Sequence, residues 1–408
     1  MDASSRQQMS EARRAPLKLL ALLMAMTAIG PLSLNILVPS LPGLAQRMGA
    51  DAEYAQLAVS LYLFGLAFSQ LVLGPLSDRF GRRPVVLAGL FLTVLTSIGS
   101  IAAASMEGII VARVLQSLSA SAGMVIGRAI IRDLYDRERA ASMIGWVATA
   151  MVVAPMIAPL IGGVLDVTFG WQSIFIFVAA LSAAIALWTY VALPETKPNH
   201  VKTGGIRHLI RDARALFSNA TFNGYVLVSA LGSATFFAFL GGGPYVVIAM
   251  MKRSPAEYGG WFAITAFAYL LGNMVTARLT PRYGLDRMIR AGLTLEIIGA
   301  VLQVLAVAYL PAGGPEIVFF PQCFVSFGNG LLLPNAISGA ISVRPQAAGT
   351  ASGISGFTQF AIGAAAAQFM SHILVSSATP QPLALVMVIL AGAAVLSFVA
   401  LVRGAKKS

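Results

Sequence analysis

GPLSDRFGRRP, residues 74–84, sets Asp78, Arg79, Arg82 and Arg83 between two long runs without charge, Glu53 to Asp78 and Arg83 to Glu107. An uncharged apolar run of about 18 or more residues is long enough to cross hydrocarbon as a helix, so the interval reads as a tight turn between two spans. The same alternation continues in both directions. Lys18 to Arg47, Arg139 to Asp166, Asp166 to Glu195, Arg214 to Lys252, Glu257 to Arg278 and Glu316 to Arg344 each bound one further span. Arg344 to Arg403 encloses two spans around SSATPQP. Two more apolar segments each carry one ionisable residue, Arg113 within 106–133 and Glu296 within 287–310. Twelve spans are expected, an all-α membrane protein.

Composition agrees. Of 408 residues, 57% are hydrophobic and 11% charged, where a soluble domain carries about 25% charged residues. The net charge of +12 follows from topology. With the N-terminus inside, all the basic residues fall on inner segments except Arg47, Lys252, Arg253 and the intramembrane Arg113, which is the positive-inside pattern with both termini cytoplasmic. Basic loops against an anionic inner leaflet account for the charge without a nucleic-acid partner. Cys323 is the only cysteine, which excludes an intramolecular disulfide. The first apolar run is too long for a signal-peptide core and reads as an uncleaved span.

The longest polar interval lies between spans six and seven and divides the chain into 1–193, a linker 194–218, and 219–408, two halves of six helices each. Within the linker Ile206, Leu209, Ile210, Ala213, Leu216 and Phe217 follow helical spacing opposite Arg207, Arg211 and Arg214. This is either an amphipathic helix on the inner membrane surface or a solvated connector. LSDRFG at 76–81 is echoed by LTPRYG at 279–284, as expected if the halves are related by duplication with a pathway between them.

In the turn itself, Gly74 permits close helix contact, Asp78 can accept charged hydrogen bonds, and Gly81 lets the chain reverse while Arg79, Arg82 and Arg83 stay at the surface. The stretch resembles the signature loop of the major facilitator superfamily, in which it acts as a latch between the halves on the cytoplasmic side. Asp133, at the inner end of span four, is a candidate partner for these arginines.

Arg113 lies ~9 Å below the outer end of span four. An arginine near the bilayer centre costs roughly 2.5–3.5 kcal/mol on insertion scales, so it needs a partner, a wet cavity or an outward-snorkelling pose. Gln116 shares its face. The pair resembles the family's second signature, tied to proton coupling or substrate contact, although the glycine that usually follows is Ser117. In span five, Ala154, Ala158 and Gly162 recur every four residues beside Pro155, Pro159 and Gly163. This is a smooth stripe on a bent helix, and it resembles the antiporter signature of exporters.

PLSLNILVPSLP, RAIIRDLYDRERA and GWQSIFIF extend the resemblance to the bicyclomycin-resistance (Bcr/CflA) branch of twelve-span drug:proton antiporters. In that branch an acid stands four residues before the proline that corresponds to Pro39 in this motif. Here that residue is Asn35, ~27 Å along the span and at about the depth of Arg113. Asn can neither carry a proton nor balance the arginine. Glu296 is the only carboxylate clearly inside a span, though the resemblance puts span nine at the periphery. Ser233, Phe236, Phe237, Tyr245, Asn329, Asn335 and Gln359 are the candidate cavity residues of the second half, an apolar and aromatic wall with few polar handles.

The histidines are His200 and His208 in the linker and His372 near a span end. No metal-ligand cluster, phosphate-cradling loop or nucleophile with a base is evident, so neither enzyme activity nor a cofactor is expected. The resemblance implies a secondary transporter of the cytoplasmic (inner) membrane that exports drug-like molecules in exchange for protons, as a monomer in the bilayer. Asn35 keeps a rival open, an organic-anion exporter or a facilitator without proton coupling. A nontransporting receptor is a remoter alternative.

Overall fold

The computed structural model describes residues 3–135, 137–196, 206–310, 313–377 and 379–404, which form helices and turns with no strand among them. In chain order the helices are α1 (Ala3–Ile36), α2 (Leu41–Arg47), α3 (Ala52–Phe80), α4 (Arg82–Ala102), α5 (Met106–Ala120), α6 (Ala122–Leu134), α7 (Arg137–Phe169) and α8 (Gln172–Ala192). After the linker helix α9 (Ile206–Phe217) come α10 (Ala220–Pro244), α11 (Pro255–Tyr283), α12 (Leu285–Tyr309), α13 (Glu316–Ser342), α14 (Ala348–Val375) and α15 (Gln381–Ser397). Ten stretches among the described residues are long and apolar enough to cross a membrane, with α5 and α6 counting together as one. Outside that set, α7 and α14 have 33 and 28 residues and lie within the same bundle.

The faint sequence echo is a backbone repeat. α3 and α11 each run 29 residues, each ends on a glycine with positive φ (Gly81 at 103°, Gly284 at 82°), and a new helix starts at the next residue. A side chain at either glycine would be strained. These two turns, with Arg79, Arg82, Arg83 and Arg282, mark the basic end of the bundle, opposite its far end.

Helix pairs α3 with α14 and α7 with α11 cross between the halves, and α1 lies along α7. The buried apolar side chains explain how the halves are held. One cluster draws on both halves toward the far end, from Leu34, Val59 and Tyr62 to Phe239, Val246 and Tyr258. Toward the basic end there are two separate clusters, one around Leu23, Val86 and Ile130, the other around Phe222, Ile289 and Phe398. The bundle is joined at its far end and divided at its basic end.

The linker helix belongs with the second half. Leu216 is buried in that half's cluster, and Asp212 faces Arg344 at 3.9 Å. Phe217, expected on the apolar face, is exposed and meets Phe222 edge to face. Linker residues 197–205, with His200, lie outside the described residues, as do the side chains of residues 206–210.

Candidate functional site

Arg113 is 1% exposed, and its partners among the described residues are all neutral. Nη1 donates to the Ser33 carbonyl at 2.8 Å and to Gln116 Oε1 at 2.6 Å. Nη2 donates to the Leu34 carbonyl and Nε to the Ala58 carbonyl, both at 3.4 Å. The guanidinium lies over the Tyr62 ring, 4.1 Å from its centroid, a geometry that favours a cation.

The sequence of α1 explains why those carbonyls are available. α1 stops at Ile36, and a 3₁₀ turn with Pro39 follows at Val38–Ser40. The last carbonyls of a helix lack intrahelical N–H donors, and its C-terminal end carries about half a negative charge. The charge opposite Arg113 is therefore a helix end. Asn35 does not fill the place of the missing acid. Its amide donates to the Pro31 carbonyl at 2.8 Å, its Oδ1 is buried without a partner, and the guanidinium binds the carbonyls of the two preceding residues. Gln116 in turn donates to Ser97 at 2.7 Å, which fixes the face of α5 toward α4. Ser117 fits where a glycine is usual because Gly65 on α3 faces it. A Cβ on Gly65 would fall 1.8 Å from Ser117 Oγ.

The antiporter-type stripe of α7 lies where three helices meet. A Cβ on Gly162 would fall 1.8 Å from the Ile36 carbonyl oxygen at the end of α1, and one on Gly163 2.4 Å from the Pro255 oxygen at the start of α11. From the other side, a Cβ on Gly259 would fall 2.6 Å from the Pro159 oxygen. Ala154, Ala158 and Pro159 are buried along the same face, and Pro155 is half-buried. The stripe thus brings backbone against backbone between the halves at the far end. At the other contact between the halves, Glu53 of α3 meets His372 of α14 at 2.9 Å, and Gln368 donates to the Glu53 carbonyl at 3.1 Å. Neither Glu53 nor Gln368 belongs to a motif, so the sequence alone carries no signal for this contact.

At the basic end Arg82 organises the signature loop. Its Nε donates to Asp133 at 3.0 Å, its Nη1 donates to Ser77 at 2.6 Å, and it bridges to Asp78. Glu195, beyond α8, accepts from the backbone N–H groups of Arg82 at 2.9 Å and Arg83 at 3.3 Å, capping α4. Arg83 donates to the Tyr190 carbonyl at 2.6 Å and lies over the Tyr190 ring, and Arg79 lies over Phe80. All these bonds stay within the first half. Gly74, expected to admit another helix, has open space where a Cβ would be, as befits a bundle divided at this end.

Arg82 and Asp133 are both largely buried, so removing Arg82 should leave Asp133 uncompensated, and removing Asp133 should leave Arg82 with Asp78 and Ser77 alone. Asp133→Ala and Arg82→Ala are each expected to cost about 1.5–3 kcal/mol, the worth of hydrogen bonds to charged groups. The double variant should cost clearly less than the two added together. Thermal unfolding of the detergent-purified variants measures this, and strict additivity would refute the pairing.

The second half gathers some of its candidates and occupies others. Phe236 and Phe237 are adjacent at 5.5 Å, with Phe360 at 6.0 Å from Phe237 and Phe262 at 6.0 Å from Phe236. Gln359 is half-buried next to Phe360. Ser233 donates to its own helix at Ser229, and Asn335 ties α13 to α11 by accepting from Thr280 at 2.9 Å. Asn329 donates to Thr235 at 3.2 Å, and its Oδ1 is unpartnered. Tyr245 begins a π-helical turn, Tyr245–Met250, and lines a small far-end cleft with Leu41, Gln56, Pro244 and Ser371. Glu296 lies in the second half, buried where α12 meets α10 and α13.

A family model described as Major Facilitator Superfamily matches residues 23–368. Among its relatives, the chain is 25% identical to the bicyclomycin resistance protein homolog of Haemophilus influenzae, covering 87% of this chain and 89% of that protein. It is 28% identical to multidrug resistance protein D of Escherichia coli (85% and 86% covered) and 30% identical to a chloramphenicol resistance protein of Pseudomonas aeruginosa (80% and 77%). In fold it is similar to a crystal structure of a bacterial homologue of the human lysosomal transporter Spinster, with a TM-score of 0.74, 14% identity, and 95% and 96% of the two chains covered.

Proposed function

Because the chain belongs to the Major Facilitator Superfamily, and is a transporter rather than an enzyme, we propose that it exports small drug-like molecules across the cytoplasmic membrane by alternating access in exchange for protons. The observation that carries this is the division of the apolar core, shared by both halves at the far end and separate in each half at the basic end. Positive-inside orientation puts the basic end in the cytoplasm with both termini, so the arrangement is open inward. Substrate would enter between the halves from that side. Rocking about the α7/α11 and α3/α14 contacts would then expose it outward. The chain is proposed to work as a monomer of two six-helix halves, 1–193 and 219–408, joined by 194–218.

The names of the relatives, which include bicyclomycin, chloramphenicol and multidrug resistance, support a drug-like substrate. The aromatic group Phe236, Phe237, Phe262 and Phe360 suits lipophilic rings. The second reading, an organic-anion exporter without proton coupling, draws on one observation, that no carboxylate is among the bonded partners of Arg113. The test is substrate-dependent pH change in energised inside-out vesicles, with cationic, neutral and anionic drugs and Arg113→Ala as control. Proton release with cationic or neutral drugs, absent in the control, is the expected result. Transport of anions alone without proton movement would replace this reading by the second.

A further inference from the structure

Glu296 stands near the middle of α12 and is 0% exposed. Two glycines shape its surroundings. A Cβ on Gly328 of α13 would come 3.1 Å from Glu296 Cγ, and one on Gly232 of α10 would come 3.3 Å from a carboxylate oxygen. The socket fits a carboxyl group closely, yet neither of its oxygens has a hydrogen-bond partner among the described residues.

Among the described residues no basic side chain is bonded to it. On the helices packed around it, α10 carries only Tyr225, which is bonded to Asp286, α13 carries Glu316 and Cys323, and α15 carries no titratable group. The charged groups of α11, Glu257, Arg278 and Arg282, and those of α12 itself, Asp286, Arg287 and Arg290, are all near helix ends. An isolated carboxylate is far too costly in such a place, so the group needs a proton to remain there.

An acid kept only to strengthen packing would be expected to have partners, because an unsatisfied buried polar group costs about 1–3 kcal/mol. Polar atoms instead continue away from it. Thr235 donates to the Gly232 carbonyl at 2.6 Å, and Asn329, next to Gly328, donates to Thr235. Gln303 and Gln322, flanking the same α12/α13 contact around Gly299, are buried with unpartnered amide atoms. α10 also touches α3 of the first half and lies along α14, so movement between the halves acts on the wall of this socket.

We infer that Glu296 is a proton-binding site of the second half, occupied in this arrangement and emptied when α10 shifts against α12 and α13. The inference rests on the proton-exchange reading above and identifies where the exchanged proton rides. Gln is the test residue, since it has the shape of a protonated Glu and cannot release a proton.

The experiment reconstitutes the full chain in liposomes with the membrane potential clamped, and uses ethidium and chloramphenicol as probes. Infrared difference spectra follow the protonated carboxyl band between acid and alkaline buffer. With one proton exchanged per molecule, the parent protein should accumulate a probe about tenfold per unit of imposed pH gradient, because 1.4 kcal/mol is tenfold. Glu296→Gln is expected to lose that accumulation, keep downhill counterflow and lack the titrating band. Undiminished accumulation by the variant overturns the inference and leaves proton-coupled export standing. Probe movement by the parent without protons overturns both. If neither probe moves, the spectra decide: a band that titrates in the parent and vanishes in the variant sustains the site, and a band that never titrates overturns it.

Discussion

Arg113→Lys is expected to lower transport by at least about tenfold and to lower thermal stability, although the charge is kept. One hydrogen bond to a charged group is worth about 1.5–3 kcal/mol, and about 1.4 kcal/mol is a factor of ten. The guanidinium reaches the carbonyls of Ser33, Leu34 and Ala58 and the Gln116 amide at once, holding the broken end of α1 to α3 and α5. A lysine ammonium is a point charge that cannot span that fork. It would leave carbonyls at the end of α1 unsatisfied within the membrane, and that end also lies against Gly162 of α7. Arg113→Met, which removes the charge opposite the helix terminus as well, should be more severe in both respects. Drug efflux in proteoliposomes, paired with thermal unfolding in detergent, separates the outcomes. A lysine variant matching the parent in both would mean that charge alone suffices and that the fork is incidental.

Gly163→Ala is expected to open the far end. The added methyl would fall 2.4 Å from the Pro255 oxygen and 2.9 Å from the Ala256 Cα. Both are backbone atoms, so α7 and α11 must separate. Overpacking of this kind costs about 1–3 kcal/mol, and because the strain exists only while the halves meet there, it shifts the population toward arrangements open at that end. A cysteine in place of the buried Gln56, which lines the far-end cleft, reports the change when Cys323 is replaced by serine. Its labelling by a membrane-impermeant maleimide should quicken about 5- to 150-fold, following the same energy range. Equal labelling rates with and without the alanine would show that the stripe does not gate this end.

Which features could be read from the sequence depends on which carry a side-chain signature. The spans were legible because hydrocarbon forbids charge over a helix's length. That Asp133 would face the signature-loop arginines was legible because these charges had to lie at the same ends of neighbouring spans, but that Arg82 rather than Arg79 or Arg83 is its partner was not. The partners of Arg113 were not, since backbone carbonyls have no letter. Pro39 and the end of α1 were the available signal that acceptors would be released near that depth. Glu195 escaped notice because its role is to cap a helix that starts 113 residues earlier. Gly74 was expected to have a close neighbour, and the division of the core at the basic end removes it. Asn335 and Ser233 looked like polar handles for a ligand, but one joins two helices and the other bonds its own helix.

The composition of α14 bears on how the protein is made. Rich in Gly, Ala, Ser, Thr and Gln, and long enough to span, it falls outside the ten strongly apolar stretches, and it packs against α10 and α3. Small residues suit helix-to-helix contact and give little drive to leave the translocon for lipid. Both neighbours precede α14 in the chain, so ribosomal order delivers its docking surfaces first. Membrane insertion of α14 is therefore expected to depend on α10, and a glycosylation acceptor placed after α14 should report poorer translocation when α10 is replaced by a polyleucine span. Equal glycosylation would mean that α14 inserts on its own. Sequence order along the gene would then carry assembly information that hydropathy alone does not.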